Sequence, residues 1–308
     1  MNLISIGEVL WDVVEDTEHL GGAPLNFAAH AARLGHSPYL VSAVGSDDRG
    51  NRALTQMQAF GLTTEYIRSV ADQPTGFVSV TLHHGGQPSF TIHRPAAYDF
   101  ALLSTSQLEQ LARTGAEWIY FGTLAHTSAI VRSTTSLVLE AVPSAKRFYD
   151  VNLRTGCYSA KVVFDLLSSA TVTKLNDLET GILENLLGDS HHKSIEDFCR
   201  RYAARFGWEA ICVTRGDQGC ALLLGPDYIE SPAYSIEVED TIGAGDAFSA
   251  GLVHGLSAGW HAERAAEFAN RLGALVASRS GAIPKWNLQE LERFPQVSGF
   301  PQKSVDFS

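Results

Sequence analysis

Short apolar strands alternate with amphipathic helices along most of the chain after about residue 100. This alternation gives parallel strands with helices on both faces of the sheet, and it predicts an α/β fold. In such folds ligands bind beyond the carboxyl ends of the strands, so we expect the functional site there. The predicted strands are Trp118–Phe121, Phe148–Val151, Val172–Leu175 and Ala210–Val213, and the predicted helices are Ser128–Glu140, Leu178–Leu187 and Ile195–Arg205.

The first hundred residues and the last hundred add further elements. Before residue 61 we predict strands at Leu3–Ile6, Val9–Glu15 and Tyr39–Val44, a helix that begins near Pro24 and ends at Gly35, and a helix at Arg49–Phe60. Towards the end we predict a β region at Ala221–Glu239 and a long helix at Ala262–Ser278, followed by a mostly polar tail that packs loosely after Pro284.

Residues 77–93 have a different pattern. Val78, Val80 and Leu82 alternate with Phe77, Ser79 and Thr81, and a Gly-Gly turn separates this run from Phe90–His93. This predicts a half-buried β-hairpin, a structure that can cover a cleft as well as belong to a core. The turn contains His83 and His84, for which two solvated histidines are a better interpretation than a metal site.

Composition limits the classes of function. The chain has 308 residues, 45% of them hydrophobic, with 34 acidic and 23 basic residues and a net charge of −11. This charge argues against a nucleic-acid or anionic-membrane partner. The four cysteines are scattered, which indicates free thiols in a reducing compartment. We find no secretory signal or membrane span in the sequence, and therefore expect a cytoplasmic protein.

The stretch Asp240–Phe248 predicts a binding site for an anion. It contains Gly243, Ala244 and Gly245, and an apolar run at helical spacing follows. A helix that begins here would direct unpaired N–H groups at a bound anion. Asp246 would then suit a general base that accepts a proton from an attacking hydroxyl group. The alternative is that Asp246 only complements the helix dipole.

Polar residues follow three of the predicted strands. They occur in the runs Asp150–Arg154, Lys174–Glu179 and Thr214–Gly219. Each run could contain only solvated loop residues or helix caps, and Asn176 with Glu179 has the spacing of a capping box. Together with Asp246, however, they could supply what phosphoryl transfer requires. Asn176 and Glu179 could hold Mg²⁺ through water molecules, whereas Lys174 could either pair with Glu179 or face a phosphate.

Several alternative motifs are absent from the sequence. There is no G-x-x-x-x-G-K-[ST] sequence, which excludes a P-loop nucleotide-binding protein. Gly243-Ala244-Gly245 lacks the third glycine of a dinucleotide fingerprint, because Phe248 stands in that position. Neither the G-x-S-x-G sequence of α/β-hydrolases nor the H-E-x-x-H sequence of zinc proteases occurs.

These motifs resemble the signatures of one family, the ribokinase-like (PfkB) carbohydrate kinases. Asp240–Phe248 is similar to its C-terminal signature, and Gly21–Gly45 is similar to its N-terminal signature. Asn176–Glu179 resembles its N-x-x-E element, Thr214–Gly216 its nucleotide-binding turn, and Gly281–Pro284 its C-terminal ending. The motifs occur in the family's order and cover nearly the full length of the chain.

The resemblance implies a fold and a set of site residues. The fold would be a three-layer α/β/α sandwich with a mainly parallel sheet and a small β lid. The core would comprise residues 1–8, 22–74 and 101–308, and the lid residues 9–21 and 75–100. The implied catalytic residues are Asp246, Gly243, Ala244 and Gly245. The implied sugar-binding residues are Asp12, Gly22, Asn26, Arg154 and Asp246. The implied nucleotide-binding residues are Lys174, Asn176, Thr214, Gly216, Gly219, Gly243, Gly245 and Asn270.

The resemblance also implies cofactors and a substrate. ATP and Mg²⁺ would be required, with Mg²⁺ near Asn176 and Glu179 and a monovalent ion such as K⁺ near Asp240 and Ile242. Many relatives have threonine at the position of Ile242. The sequence Gly-Gly-Ala-Pro-Leu-Asn that ends at Asn26 is most similar to the fructokinases, which implies phosphorylation of D-fructose to fructose 6-phosphate.

Alternative substrates are ribose, a nucleoside or another riboside, and 2-keto-3-deoxygluconate. A regulatory protein that binds sugar or nucleotide without catalysis is a further alternative. Sugar and ATP are the expected partners, and two copies could pair through the lid.

Overall fold

The computed structural model describes residues 1–14, 17–82 and 88–294. Its strands are β1 Asn2–Ile6, β2 Leu10–Val14, β3 Thr17–Gly21, β4 Ser37–Gly45, β5 Ile67–Val70, β6 Gly76–Leu82, β7 Pro88–His93, β8 Trp118–Gly122, β9 Lys146–Asp150, β10 Val172–Asn176, β11 Ala210–Thr214, β12 Cys220–Leu224 and β13 Asp227–Ser231. Its α-helices are α1 Ala23–Arg33, α2 Asp48–Ala59, α3 Thr105–Arg113, α4 Ala129–Ala141, α5 Ala160–Ser169, α6 Asp177–Leu187, α7 Ile195–Phe206, α8 Ala244–Ser257, α9 Ala262–Ala277 and α10 Leu288–Arg293.

In the described part of the chain, nine strands form one large sheet in the order β13-β12-β11-β10-β9-β8-β1-β4-β5. The strands from β11 to β5 are parallel, and β12 and β13 extend one edge with antiparallel pairing. The carboxyl ends of β1, β9, β10 and β11 therefore lie along the same edge. This arrangement brings together polar residues that are far apart in the sequence.

The core has two layers, one on each face of this sheet, because successive side chains of a strand point to opposite faces. In β8, Ile119 and Phe121 belong to the cluster that contains residues of α3, α4, α5, α6 and α7. Their neighbours Trp118 and Tyr120 belong to the cluster that contains residues of α1, α8, α9 and α10. Since successive side chains of a strand point to opposite faces, both faces of the sheet are covered by helices. The predicted three-layer α/β/α fold is confirmed.

A second, smaller sheet has the strand order β3-β2-β6-β7. Strands β2 and β6 are parallel, whereas the β2–β3 and β6–β7 pairs are antiparallel. All four strands lie within the segments predicted as the lid, residues 9–21 and 75–100. Strand β3 ends at Gly21, only two residues before α1 begins, so the sheet connects directly to the helix that carries Asn26. The turn with His83 and His84 lies outside the described residues.

The structure corrects several of the predicted elements. Strands β3 and β5 and helices α3, α5 and α10 were not predicted, and the predicted β region at Ala221–Glu239 ends at Ser231. The segment after Pro284 is not loosely packed as far as residue 294, because Trp286 and Leu291 are buried. No helix in the described ranges is long and apolar enough to span a membrane.

Candidate active site

A cavity of ≈ 720 Å³ opens beside the carboxyl end of β11. It lies between the turn after β11, the segment 233–238, the start of α8 and one face of α9. The predicted nucleotide-binding residues that line this cavity are Thr214, Gly216, Gly219, Gly245 and Asn270. Gly243, Lys174 and Asn176, which were predicted for the same role, do not line it.

Gly219 and the buried side-chain amide of Asn270 shape one side of this cavity. Gly219 has φ +82°, and a Cβ there would lie 2.0 Å from the carbonyl oxygen of Ser231, so no larger residue fits. The Asn270 Nδ2 group donates to Ser231 Oγ at 3.1 Å and to the Pro232 carbonyl at 3.2 Å. Asn270 therefore fixes the chain after β13 where it begins to line the cavity.

The turn of residues 243–245, which we call the anion turn, leads into α8 at the edge of the cavity. Gly243 is the N-cap with φ +76°, a left-handed conformation that glycine adopts readily. The N–H of Ala244 donates to the Thr241 carbonyl at 3.3 Å. Within the described residues we find no acceptor for the N–H groups of Gly243 and Gly245. These two amides are thus available to an anion at the start of the helix.

Asp246 lies in the first turn of α8 and is only 7% exposed. Its Oδ2 atom accepts a hydrogen bond of 2.8 Å from Asn26 Nδ2. Burial and the charge of Asp150 raise the pKa of Asp246 to about 7, while Asn26, Lys174 and Arg154 oppose the increase. A carboxyl group with this pKa can accept and release a proton near neutral pH.

Asp12 and Asn26 both lie next to Gly21, in a second part of the site. A Cβ at Gly21 would lie 3.0 Å from Asp12 Oδ2 and 3.9 Å from Asn26 Oδ1, so both oxygens border the same point. Burial raises the pKa of Asp12 to about 6, and the charge of Arg154 opposes this. Arg154 is exposed and has no ion-pair partner within 4.0 Å among the described residues. Its guanidinium is close enough to affect both carboxyl groups while it stays available to a ligand.

Gly22 shapes the same part of the site. It has φ +113°, and a Cβ there would lie 2.4 Å from the carbonyl oxygen of Glu8. Only glycine lets the chain pass so close to the segment that follows β1. This close contact between Gly22 and Glu8 determines where α1 begins, and therefore where Asn26 lies.

Lys174 has a partner that the sequence did not indicate. Its Nζ atom lies 3.2 Å from Oδ1 of Asp150, and we find no ion pair between Lys174 and Glu179. Burial alone would lower the pKa of Lys174, but the charges of Asp150, Glu179 and Asp246 raise it, so the ammonium group stays protonated. Its positive charge lies close enough to Asp246 to favour the ionised carboxylate.

Asn176 and Glu179 form the capping box that was predicted as the alternative to their holding Mg²⁺ through water molecules. Asn176 Oδ1 accepts from the Glu179 N–H at 2.9 Å, and Glu179 Oε2 accepts from the Asn176 N–H at 2.8 Å. The other carboxylate oxygen of Glu179 accepts from the Leu153 N–H at 2.6 Å. Glu179 therefore ties the end of β10 to the loop that carries Arg154. We find no group of three or more acidic, histidine or cysteine ligands in the described ranges.

Asp240 closes the loop before the anion turn. Its two carboxylate oxygens accept from the N–H groups of Ile242 at 2.9 Å and Gly281 at 3.0 Å. The Ile242 side chain is 39% exposed and supplies no polar atom. A monovalent cation here would therefore need Asp240 and main-chain carbonyl groups as its ligands.

Three buried polar residues near the site received no individual role from the sequence, although Asp150 begins the polar run Asp150–Arg154. Asp150 accepts from Ser249 Oγ at 2.8 Å as well as from Lys174. Glu8 is 5% exposed, its Oε2 atom has no hydrogen-bond partner, and burial raises its pKa. Asp150 ends β9, and Glu8 lies two residues after the end of β1, a position that could have identified it in the same way. Ser249 had no such signal.

Comparison with known proteins identifies the class of protein that has this fold and site. The model of the pfkB family carbohydrate kinases matches residues 3–288. The chain belongs to the PfkB family of carbohydrate kinases.

Two curated relatives differ in the substrate that their names give. The fructokinase of Klebsiella pneumoniae is 30% identical over 297 residues, which cover 90% of this chain and 94% of that protein. The aminoimidazole riboside kinase of Salmonella typhimurium is 28% identical over 293 residues, with 90% and 89% covered. Among solved structures, an uncharacterized sugar kinase of Pyrococcus horikoshii in complex with ATP has a TM-score of 0.80 and 26% identity, with 95% and 97% covered. The predicted family is confirmed, whereas the substrate is not.

Proposed function

We propose that this carbohydrate kinase transfers the γ-phosphoryl group of ATP to a primary hydroxyl group of D-fructose. The observation that carries the proposal is the buried carboxyl group of Asp246, with a pKa of about 7, next to free amides of the anion turn. On one side of Asp246 lie Asn26 and the neighbourhood of Asp12. On the other side, the cavity reached by Gly245 has the volume of a nucleotide site.

In the proposed reaction Asp246 accepts the proton of the attacking hydroxyl group. The hydroxyl oxygen forms a bond to the γ-phosphorus, the bond to the β–γ bridging oxygen breaks, and ADP leaves. The N–H groups of Gly243 and Gly245 donate to the oxygens of the transferring group, where negative charge accumulates. Asn26 holds Asp246 in place and favours its ionised form before transfer.

Mg²⁺ would neutralise charge on the phosphates when it is bound with ATP. The residues present fit an ion that keeps most of its water shell, because the Glu179 carboxylate already accepts two backbone N–H groups. Asn176 and Glu179 would contact this shell rather than the ion itself.

The charges around the sugar part of the site favour a neutral substrate. Asp12 and Asp246 face it, Glu8 lies nearby, and the guanidinium of Arg154 is the positive group that affects all three. A second arginine in this region, Arg94, is paired with Asp99 and donates to a main-chain carbonyl. An acid such as 2-keto-3-deoxygluconate would thus meet the carboxyl groups of Asp12 and Asp246 beside Arg154, whereas hydroxyl groups of a neutral sugar could donate to these carboxyl groups.

A riboside is the second candidate substrate, because the riboside kinase of Salmonella typhimurium is about as similar to this chain as fructokinases are. A coupled assay of ADP release with fructose, ribose, aminoimidazole riboside, adenosine and 2-keto-3-deoxygluconate separates these substrates. We expect the highest kcat/KM with fructose. A higher value for a riboside would reassign the substrate. If ligands bind but none is phosphorylated, the protein is a regulatory one.

Replacing the base tests the chemistry itself. Asp246→Asn keeps the shape of the side chain but cannot accept the proton, so we expect kcat to fall by roughly 10²- to 10⁴-fold. The measurement is ADP release at saturating substrate, with pre-steady-state kinetics to establish that chemistry limits the rate. Turnover near that of the wild type under this condition would remove Asp246 from its role.

We also propose that two copies of the chain pair through the smaller sheet, which would serve as the lid. Its outer strands, β3 and β7, each have one edge without a partner strand in the described part of the chain. Exposed edges of this kind can pair with another strand. Sedimentation at assay concentrations tests the proposal, and a monomer there would contradict it.

A further inference from the structure

The segment of residues 281–286, after α9, fills the space between the anion turn and α1. On the side of the turn, a Cβ at Gly243 would lie 2.5 Å from the carbonyl oxygen of Ala282, so the two backbones are in direct contact. Asp240 strengthens this contact, because its carboxylate accepts from the N–H of Gly281 at 3.0 Å. The position of the anion turn therefore depends on where this segment is held.

On the side of α1 the segment is held by His30, a fully buried residue. Its Nε2 atom lies 3.0 Å from the Ala282 carbonyl oxygen, and its Nδ1 atom lies 3.1 Å from Trp286 Nε1. An indole N–H can only donate, so Nδ1 accepts and Nε2 carries the proton that is donated to Ala282. Arg33, one turn further along α1, donates to the next two carbonyl groups of the segment.

His30 lies on the same face of α1 as Asn26, which donates a hydrogen bond to the proposed base Asp246. Asn26 precedes His30 by four residues, and residues at this spacing are neighbours on the helix surface. Asn26 binds Asp246, while His30 binds the carbonyl group that packs against Gly243. One rigid element thus contacts both the base and the support of the anion turn.

We propose that His30 is a positioning residue for phosphoryl transfer, which together with Trp286 holds the anion turn at a fixed distance from Asp246. This inference rests on the proposed kinase function and assigns His30 no contact with substrate. Its two hydrogen bonds define one neutral tautomer and one ring orientation. Burial lowers the pKa of His30 to about 4, so that state persists at any pH at which the base is ionised.

The variant His30→Phe keeps an aromatic ring in the core but removes both hydrogen bonds. We expect kcat to fall roughly 10- to 100-fold, since small misplacements of reacting groups have effects of this size. The KM values for sugar and ATP should change by less than about threefold, because His30 would touch neither ligand. Trp286→Phe removes the hydrogen bond that orients the His30 ring, together with part of the buried indole surface. Because His30→Phe already breaks that bond, the double variant should be no slower than His30→Phe alone.

His126 provides a matched control. It is also fully buried, its pKa is also lowered to about 4 by burial, and its Nε2 atom lies 2.8 Å from Thr135 Oγ1. His126→Phe should lower Tm as His30→Phe does, but leave the kcat of the folded enzyme unchanged. Hydrogen exchange of the backbone amides of residues 240–249, measured without substrate, should become faster in His30→Phe and not in His126→Phe.

The outcomes separate this inference from the proposed function. If folded His30→Phe has a kcat within twofold of the wild type, or unchanged exchange at residues 240–249, His30 has only a structural role and the kinase proposal stands. Independent, additive losses in the double variant would also overturn the inference. If the wild type phosphorylates no substrate in the panel, the proposed function fails, and the assignment of His30 to phosphoryl transfer fails with it.

Discussion

The hydrogen bond between Asn26 and Asp246 should set the pH at which the enzyme becomes active. The proposed base, Asp246, can accept a proton only when it is ionised, so activity should rise with pH through its pKa of about 7. Asn26 Nδ2 donates to the carboxylate at 2.8 Å and lowers this pKa. A hydrogen bond to a charged group contributes about 1.5–3 kcal/mol. Since a pKa change of one corresponds to about 1.4 kcal/mol, Asn26→Ala should raise the pKa by about 1–2.

This change has a measurable consequence at neutral pH. With a pKa of about 8–9, only about 1–10% of Asp246 is ionised at pH 7, compared with about half in the wild type. The kcat/KM at pH 7 should therefore fall about 5- to 50-fold from ionisation alone, and most of this loss should disappear above about pH 9. The assay is the pH profile of kcat/KM for the sugar, which reports groups of the free enzyme.

Asp12→Asn is the control for loss of a sugar contact. Asp12 is not among the main causes of the raised pKa of Asp246, so its variant should lose activity uniformly and keep the rise near pH 7. The reasoning is refuted if Asn26→Ala loses activity by the same factor at every pH, because Asn26 would then bind sugar without influencing the base.

Two further substitutions test the supports of the site. Gly243→Ala would place a Cβ 2.5 Å from the Ala282 carbonyl oxygen, so we expect at least a tenfold lower kcat. Gly259→Ala is the control, because Gly259 has φ +68° but no atom lies within 4 Å of its Cβ. This variant should lose about 1–2 kcal/mol of stability in urea titration and keep its kcat. Equal kcat values for the two variants would contradict this. The Gln side chain of Glu179→Gln cannot accept from both the Leu153 and Asn176 amides, so this variant should lose about 1–3 kcal/mol of unfolding free energy. The control is Glu109→Gln at an exposed position, which should change the unfolding free energy by less than about 0.5 kcal/mol. Unchanged stability of Glu179→Gln would show that these bonds contribute little.

Features that depend on local sequence could be predicted. The spacing of apolar residues located the strands that form the centre of the sheet, and the glycines around Ala244 indicated the start of a helix. The capping box of Asn176 and Glu179 could be predicted because its members are three residues apart. Short strands such as β3, by contrast, have too few residues to show a clear alternation.

Contacts between distant parts of the chain could not be predicted from local patterns. Asn26 and Asp246 are 220 residues apart, and no periodicity indicates that they share a hydrogen bond. The partner of Lys174 depends on β9 lying next to β10, where Lys174 is level with Asp150. The order of the strands along the chain can be predicted from the sequence. The pairing of Lys174 with Asp150 depends instead on the order of the strands across the sheet.

The pairing of α1 with α8 has a consequence for how the protein is made. Phe27 and Ala31 of α1 share one apolar cluster with Ala247 and Trp286. At roughly 5–20 residues per second, the ribosome needs about 10–40 s to add the 220 residues that separate Asn26 from Asp246. For most of that time α1 has left the ribosome but cannot yet pack against α8. The nascent chain therefore has an exposed apolar helix face during this period, and the candidate active site forms only after Asp246 has been synthesised.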